Sequence, residues 1–496
     1  MWVSIGRLMA TPATQTESRS PAPDAGFDYR EIRDFFDAFS EDDAKWRRRN
    51  ATYHRLIARL TRFVVPPGQR VLEIGCGNGS LLEALEPSVG VGVDVSGRMV
   101  ELARAQHPGL RFEQCAGEDL DLDEKFDFIV LSDLVPFVHD LVALFQRVGA
   151  HSHPRTRVVI SSYSTLWKPI IRLAERLGLK PRKPIRNWVA PEDVRNLLQL
   201  AGFEVVSQTR RMLFPKRVPG LDVLLNGFLA NLWPFNHACL TYWIVARPEP
   251  VPIDAPSVSV VCPCRNEAGN IAQLIDRLQV IGSATELIFV EGGSKDDTRA
   301  TIVENLGRRD DIEISLIDQA GTGKGDAVRA GFAAARHEVL MILDGDLSVR
   351  PEDLPKFYTA ILEGRGELVN GSRLVYDLEP GAMRFMNVLG NKTFSLLFRA
   401  ITGQHVKDTL CGTKVLHRDH YAEIAGARSY FGDFDPFGDF DLLFGGTRLN
   451  LKIVDMPVRY QSRTYGQTNI SRWRHGLLLF RMSLFAFWKF RVAPFL

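Results

Sequence analysis

The sequence predicts an α/β protein made of two doubly wound, Rossmann-like domains in tandem. Three observations carry that prediction. Short apolar strands alternate with helical stretches in both halves, the pattern of a sheet covered by helices on both faces. Each half places a glycine-containing turn at a strand end: Val71-Leu72-Glu73-Ile74-Gly75-Cys76-Gly77-Asn78-Gly79 in the first, and Asp344-Gly345-Asp346 after Val339–Leu343 in the second. Between them, Pro248, Pro250, Pro252 and Pro256 stiffen a short linker.

At 496 residues the chain exceeds one ordinary core. Hydrophobic content of 45% and charged content of 24% fit a globular protein, and a net charge of +2 argues against a nucleic-acid partner. Six cysteines without a paired Cys-x-x-Cys framework fit a reducing compartment. Cys262-Pro263-Cys264 is too closely spaced and too isolated for a zinc site. No secretory signal is predicted, because Arg7 interrupts the only apolar stretch of the leader. Thr11–Asp24 is predicted to be disordered. No run suits a membrane span: Leu221–Ala246 is broken by polar residues, and the tail after Gly476 by Arg481, Lys489 and Arg491. That basic, aromatic tail reads either as a terminal helix on the core or as an interfacial segment. The expected location is cytoplasmic, with peripheral contact at the membrane face.

The elements follow in order. Residues 1–26 form the leader. Phe27–Leu60 has helical spacing and ends before Pro66-Pro67-Gly68. Strands are predicted at Arg70–Ile74, Val89–Asp94, Phe126–Leu131, Arg157–Ser161, Phe203–Val206 and Thr241–Ala246, closing a domain over 27–247. After the linker at 248–256, strands at Ser257–Cys262, Glu286–Val290, Glu313–Ile317, Val339–Leu343 and Glu367–Asn370 open a second domain over 257–475. The amphipathic segment 476–496 ends the chain.

In the first domain, a strand followed by Gly75, Gly77 and Gly79 puts backbone N–H groups and a helix N-terminus where a nucleoside cofactor can lie. Asp94, at the end of the next strand, is placed to accept from a ribose diol. These residues resemble the class I S-adenosylmethionine-dependent methyltransferases over about residues 45–247. The resemblance implies the class I methyltransferase fold and S-adenosyl-L-methionine as cofactor. Glu73, Gly75, Gly77 and Gly79 match the family's first motif, Asp94 its ribose-binding acid, and Glu118 and Asp119 its adenine contact. Leu131-Ser132-Asp133 matches the strand end beside the methyl donor. A nicotinamide-binding fold is the rival, disfavoured because the turn departs from Gly-x-Gly-x-x-Gly. Tyr163, His139 and His153 lie near strand ends as candidate bases, and methyl transfer needs in-line approach more than a base.

In the second domain, Asp344 and Asp346 supply hard carboxylate oxygens suited to Mg²⁺ or Mn²⁺ bridging a diphosphate. Such a metal offsets charge on a departing nucleoside diphosphate. Lys324, in Gly321-Thr322-Gly323-Lys324-Gly325, can approach a phosphate. With the Pro263-Cys264-Arg265-Asn266-Glu267 loop and Glu291, these motifs resemble the family 2 glycosyltransferases of GT-A fold over 256–475, most closely their dolichol-phosphate mannosyltransferase-like branch. The resemblance implies a nucleotide-sugar donor held by Pro263, Arg265, Glu267, Glu291, Lys324 and Asp344. It implies a metal at Asp344 and Asp346, an acceptor phosphate at Arg373 and Arg463, and functional acids at Asp439 and Asp441. Ser348 stands where the mannosyltransferases often carry Gln, and Gln467 and Asn469 replace that branch's Glu and Lys. A carboxylate base is needed for a hydroxyl acceptor and not for a phosphate.

Together the halves imply a bifunctional enzyme. One half makes metal-dependent, inverting glycosyl transfer from a UDP- or GDP-sugar to a polyprenyl phosphate or other lipid or glycan acceptor, and the other methylates within the same pathway. Two alternatives are a methyltransferase-like module that binds cofactor without turnover, and a nucleotidyltransferase, which also pairs aspartates on metal.

Overall fold

Each half of the chain folds around its own seven-stranded sheet. The computed structural model describes residues 28–216, 218–376, 385–430, 438–461, 465 and 472–495. The first sheet comprises β1 (Arg70–Ile74), β2 (Val89–Asp94), β3 (Arg111–Gln114), β4 (Phe126–Ser132), β5 (Ser152–Tyr163), β6 (Phe203–Arg211) and β7 (Thr241–Pro248). Their spatial order is β3-β2-β1-β4-β5-β7-β6. All neighbours run parallel except β7, which is antiparallel to both β5 and β6. This is the class I methyltransferase fold.

The second sheet comprises β8 (Val258–Cys264), β9 (Thr285–Glu291), β10 (Glu313–Asp318), β11 (Val339–Ile342), β12 (Leu368–Ser372), β13 (Lys414–His417) and β14 (Ile453–Pro457). The order is β10-β9-β8-β11-β13-β12-β14, with β13 antiparallel to both neighbours. The arrangement is that of a GT-A fold. Pattern reading leads to parallel sheets and misses β3, β13 and β14. Those strands are four or five residues long and mix charge with apolar side chains, as in Lys414-Val415-Leu416-His417.

Helices cover both faces of each sheet, so the central strands read as unbroken apolar runs. Alternate residues feed opposite cores. On β1, Leu72 and Ile74 enter one cluster and Val71 the other. On β8, Val258, Val260, Cys262 and Cys264 face one side and Val261 the other. All six cysteines are free thiols, and all but Cys115 are buried. Among the described residues, no helix is long and apolar enough to cross a membrane.

The halves meet along a polar seam. Glu367 accepts from Arg157 Nη2 at 2.7 and 2.8 Å and lies 3.3 Å from Arg247 Nη1. The two arginines come from β5 and β7, and the carboxylate from the start of β12. Arg247 also pairs with Glu204 and donates to the Gly364 carbonyl (2.5 Å). Lys452 N adds a hydrogen bond to Glu367 (2.8 Å), and Lys452 Nζ reaches the Val205 carbonyl (2.6 Å). Both ends of the linker are tied down, Glu249 N to Gly202 O and Ile253 N to Leu362 O. The C-terminal helix Arg472–Phe487 buries Leu479, Met482 and Ala486 in the second half. The chain then crosses to the first half, where Phe490 packs edge-on against Phe63 at 5.4 Å and Arg59 donates to the Phe495 carbonyl. The amphipathic tail is thus also a strap across the seam.

Burial pushes the Glu367 carboxyl up, but the charges of Arg157 and Arg247 outweigh it and hold the group at about 2. A depressed carboxylate stabilises the fold above its unfolded value, and that contribution is lost as pH falls from about 4.5 toward 2. Removing the charge leaves the buried Arg157 guanidinium without a carboxylate and Arg247 with Glu204 alone, a loss on the order of 3–5 kcal/mol. Glu367→Gln is therefore expected to split calorimetric unfolding at neutral pH into two separated transitions. A single transition at the parental temperature would contradict the bridging role.

Candidate active sites

The first site forms where β1 ends. Gly75, Gly77 and Gly79 hold φ of 76°, 51° and 75°. A side chain at Gly75 would strike Leu134 Cδ1 at 2.8 Å, and one at Gly79 the Phe112 ring at 2.6 Å. Gly77 has open space beside it and lines a cleft of about 560 Å³. Asp94, at the end of β2, accepts from Gly77 N (2.8 Å) and Ser96 N (3.0 Å), which fixes the turn. Burial raises its carboxyl above the usual range against those two N–H groups. Glu73 is fully enclosed, and burial pushes its carboxyl up to about 8. Its Oε2 has no hydrogen-bond partner.

Across the cleft, Asp133 directly follows β4 with φ of 55° and accepts from Tyr53 Oη at 2.6 Å. Its Oδ1 is buried without a partner, and burial raises its carboxyl. Orphaned acceptors on Glu73 and Asp133, the open face at Gly77 and the acid at Asp94 together suit a ligand that carries both a diol and positive charge. S-adenosylmethionine is such a ligand.

Glu118 lines the same cleft and accepts from His139 N at 2.8 Å and Asp140 N at 3.3 Å. Its neighbour Asp119 is exposed and lies outside the lining. Of the three candidate bases, Tyr163 lines the cleft and His139 and His153 do not. His153 Nε2 sits 3.1 Å from Asp127 Oδ1, near the opposite end of β4. Several lining residues escape motif reading: Tyr53, His54, Lys180 and Lys183. The Lys180 ammonium lies 4.3 Å above the Tyr163 ring, and Lys183 within 5.7 Å of the Phe36, Phe39 and Phe137 rings. Burial, followed by the nearby Lys183 charge, lowers Lys180 to about 8. Burial lowers His54 to about 4, so its ring is neutral at physiological pH. For Lys180 and Lys183 the one sequence signal is the run of basic residues after Leu179, and Tyr53 and His54 carry none.

The second site gathers on the ends of β8, β9 and β11. Glu291 closes β9 and accepts from Gly293 N (3.1 Å) and Ser294 N (2.6 Å). Asn266, at φ of 58°, ties the β8 loop to that turn through Ser294 Oγ and Lys295 N. Glu267 accepts from Asn270 Nδ2 at 2.7 Å, and its N–H donates to Thr298 Oγ1. Pro263 is half-buried on β8 and Arg265 is exposed beside it. Lys324, first residue of the helix Lys324–Ala334, sits 2.5 Å from Asp344 Oδ1. Asp346 is buried and accepts from Ser348 N at 3.0 Å. Gly345 packs against Cys262, Cys264 and Glu267. Gly412 lies directly over the Lys324–Asp344 pair, where a Cβ would overlap both side chains.

Among the described residues no group of three or more His, Cys, Asp or Glu side chains could hold a metal. The Asp344–Asp346 pair offers two hard oxygen donors. A divalent cation there fits only if phosphate oxygens and water complete its shell, as for Mg²⁺ beside a nucleotide.

Two family models match this chain, the methyltransferase domain at residues 45–208 and glycosyl transferase family 2 at residues 259–425. The chain joins a methyltransferase to a family 2 glycosyltransferase. Glycosyltransferase AglJ of Haloferax volcanii is 29% identical over 226 residues, 45% of this chain and 70% of the relative. An undecaprenyl-phosphate 4-deoxy-4-formamido-L-arabinose transferase of Pectobacterium carotovorum is 28% identical over 175 residues, 33% of this chain and 50% of its own length. Among solved structures, a methyltransferase of Thermotoga maritima is 19% identical, covering 43% of this chain and 99% of its own, with TM-score 0.35. Glucosyl-3-phosphoglycerate synthase of Mycobacterium tuberculosis, in complex with Mn²⁺, UDP and glucosyl-3-phosphoglycerate, is 20% identical, covering 47% and 80%, with TM-score 0.36.

Arg373 makes a bidentate pair with buried Asp408 (2.7 and 2.8 Å) and lies over the Tyr460 ring, so its guanidinium is already committed. Asp441 pairs with Arg428 at 3.1 Å, with its side chain 9% exposed. Asp439 begins the helix Asp439–Arg448, and a Cβ added at Gly438 before it would lie 3.1 Å from Gly325 Cα, next to Lys324. Arg463 lies outside the described residues, as does the side chain of Asp439. Tyr465 donates to Asp296 (3.2 Å) and packs against Gly269.

Two outcomes follow from this geometry. Glu73 is raised from 4.5 to about 8, so the folded methyltransferase binds more protons than the unfolded chain in that interval and loses stability as pH rises through it. Melting of the ligand-free chain between those limits should therefore drop more steeply in the parent than in Glu73→Gln; parallel curves would refute the assignment. Gly412→Ala should displace the Lys324–Asp344 pair and lower glycosyl transfer by about 10²-fold. Unaltered turnover would show that the pair tolerates the shift.

Proposed function

We propose that the chain is a bifunctional transferase with separate active sites on either side of the 248–256 linker. The glycosyltransferase half moves a sugar, with inversion, from a UDP- or GDP-linked donor to a polyprenyl phosphate or related lipid or glycan acceptor. The observation that carries this reading is the placement of Glu291 at the end of β9 and of Asp344 and Asp346 just after β11, on the same edge of the sheet on either side of β8, with Lys324 at the start of the helix Lys324–Ala334 paired to Asp344. Pro263, Arg265, Glu267 and Glu291 hold the nucleoside, and Lys324 faces the diphosphate. Asp344 and Asp346 bind Mg²⁺ or Mn²⁺, which neutralises the leaving diphosphate. Similarity to an undecaprenyl-phosphate 4-deoxy-4-formamido-L-arabinose transferase supports a lipid-phosphate acceptor.

Asp439 takes the role of proton acceptor when the acceptor is a hydroxyl, and Arg463 contacts the acceptor phosphate. Asp441 and Arg373 act through Arg428 and Asp408, shaping the site rather than touching substrate. The methyltransferase half binds S-adenosylmethionine along Glu73–Gly79, with Asp94 on the ribose and Glu118 near the adenine. It methylates an intermediate or product of the same glycan or glycolipid pathway at the cytoplasmic face of the membrane, where the C-terminal segment makes peripheral contact.

A thermal-shift panel tests both halves. A ligand at about 100 times its Kd adds roughly 2.7 kcal/mol to the state it binds. UDP or GDP is expected to stabilise the protein only with Mn²⁺, and Asp346→Ala to abolish that shift. S-adenosylhomocysteine is expected to give an independent shift lost in Asp94→Ala. No metal-dependent nucleotide shift in a folded protein would sink the donor assignment, and release of diphosphate in place of nucleoside diphosphate would make the enzyme a nucleotidyltransferase.

A further inference from the structure

Three short helical stretches carry one-sided apolar stripes that no described residue covers. The first runs along the helix Lys168–Arg176 of the methyltransferase, where Leu166, Ile170, Leu173 and Leu177 repeat at helical spacing and are 52–64% exposed. Only Ile171 of that helix is buried. The second lies in the crossover from β6 to β7. Leu221, Leu224 and Phe228 follow the same spacing, and Leu232, Trp233 (79% exposed) and Phe235 continue it. The third is the outer face of the C-terminal helix: Leu477, Phe480, Leu484 and, just beyond it, Trp488.

The stripes are joined. Trp167 Nε1 donates to the Ala238 carbonyl at 2.8 Å, linking the first to the end of the second. Phe228 meets Phe487 edge-on at 5.9 Å, linking the second to the third. An exposed apolar surface of this extent is an interaction site in a globular protein. Its flanks are basic. Lys168, Arg172, Arg176 and Arg182 accompany the first stripe against the single acid Glu175, and residues 472–496 contain no Asp or Glu. Aromatic and aliphatic side chains ringed by Lys and Arg match an interface between water and anionic lipid.

We infer that these three stripes form one bilayer-docking face, most of it built by the methyltransferase half, and that its occupant is an anionic lipid surface. Docking this way turns the methyltransferase cleft toward the headgroups, since Ile170, Leu179, Pro215 and Lys216 line its mouth beside the first two stripes. The face is independent of the chemistry assigned to either active site.

Vesicle flotation of the full chain tests this. Phosphatidylcholine vesicles containing phosphatidylglycerol are expected to carry several-fold more protein than phosphatidylcholine alone, with the difference suppressed by high salt. The triple variants Leu166→Ser/Leu173→Ser/Leu177→Ser and Leu232→Ser/Trp233→Ser/Phe235→Ser should each lower capture about tenfold. Both should keep the S-adenosylhomocysteine shift, which shows that the fold and the methyltransferase reading survive whatever happens to docking. Capture unchanged in both triple variants, or lost only in Leu484→Ser/Trp488→Ser, would overturn the proposal and leave the C-terminal helix as the sole contact. Light scattering that shows a dimer dissociated by the same triple variants would reassign the face to a second copy of the chain.

Discussion

A carboxylate shared by two guanidinium groups sets the relation between the halves. Glu367 takes Arg157 and Arg247 from neighbouring strands β5 and β7 of the methyltransferase sheet, and the backbone N–H of Lys452 beside β14. Buried charge is stable only when it is matched and fully hydrogen-bonded. The cluster therefore tolerates one alignment of the two sheets, and the tied linker and the C-terminal strap are built around that alignment. Each strap contact, such as Phe490 on Phe63, would be displaced by a different docking of the halves.

Within each half, the sheet decides where chemistry can occur. Both sites sit at strand ends, where loops splay apart and helix N-termini face the opening, as in other open α/β sheets. In the methyltransferase, Asp94 closes the glycine turn through the Gly77 N–H, so the acid assigned to the ribose also shapes the cradle. In the glycosyltransferase, Glu291 is likewise tied to the turn N–H groups of Gly293 and Ser294. Because the carboxylates proposed for ligand binding also hold their turns, simple deletions at these positions are ambiguous, and variants such as Gly412→Ala that act by displacement are preferable.

Much of this was legible in the chain. A strand with strict apolar content, a turn that demands positive φ and an acid at a strand end are local features, so Glu73–Gly79, Asp94 and Asp344–Asp346 stand out. Residues whose roles come from long-range partners do not. Arg373 reads as a phosphate ligand from its local motif, and its pairing with Asp408 comes from a residue 35 positions away. Asp441 reads as a functional acid, and its pairing with Arg428 is a contact the local pattern does not show. Asp119 and Glu118 are adjacent acids, and only the backbone turn at 117–119 decides that Glu118 points inward. Lys180 and Lys183 sit in an irregular segment with no periodicity, and what makes them notable is their approach to the aromatic rings across the cleft.

The sequence by itself determined the two α/β domains, their order, their glycine turns and the acids that follow them, because each depends on residues within a few positions of one another. Tertiary structure alone decided which charges pair across the seam, which acids face a cleft, and which apolar side chains are left outside. Those outcomes depend on residues that are distant in the chain and near in space: Arg157 and Glu367, Tyr53 and Asp133, Phe228 and Phe487. Local propensity carries no information about such pairs, since their meeting is settled only when the sheets dock.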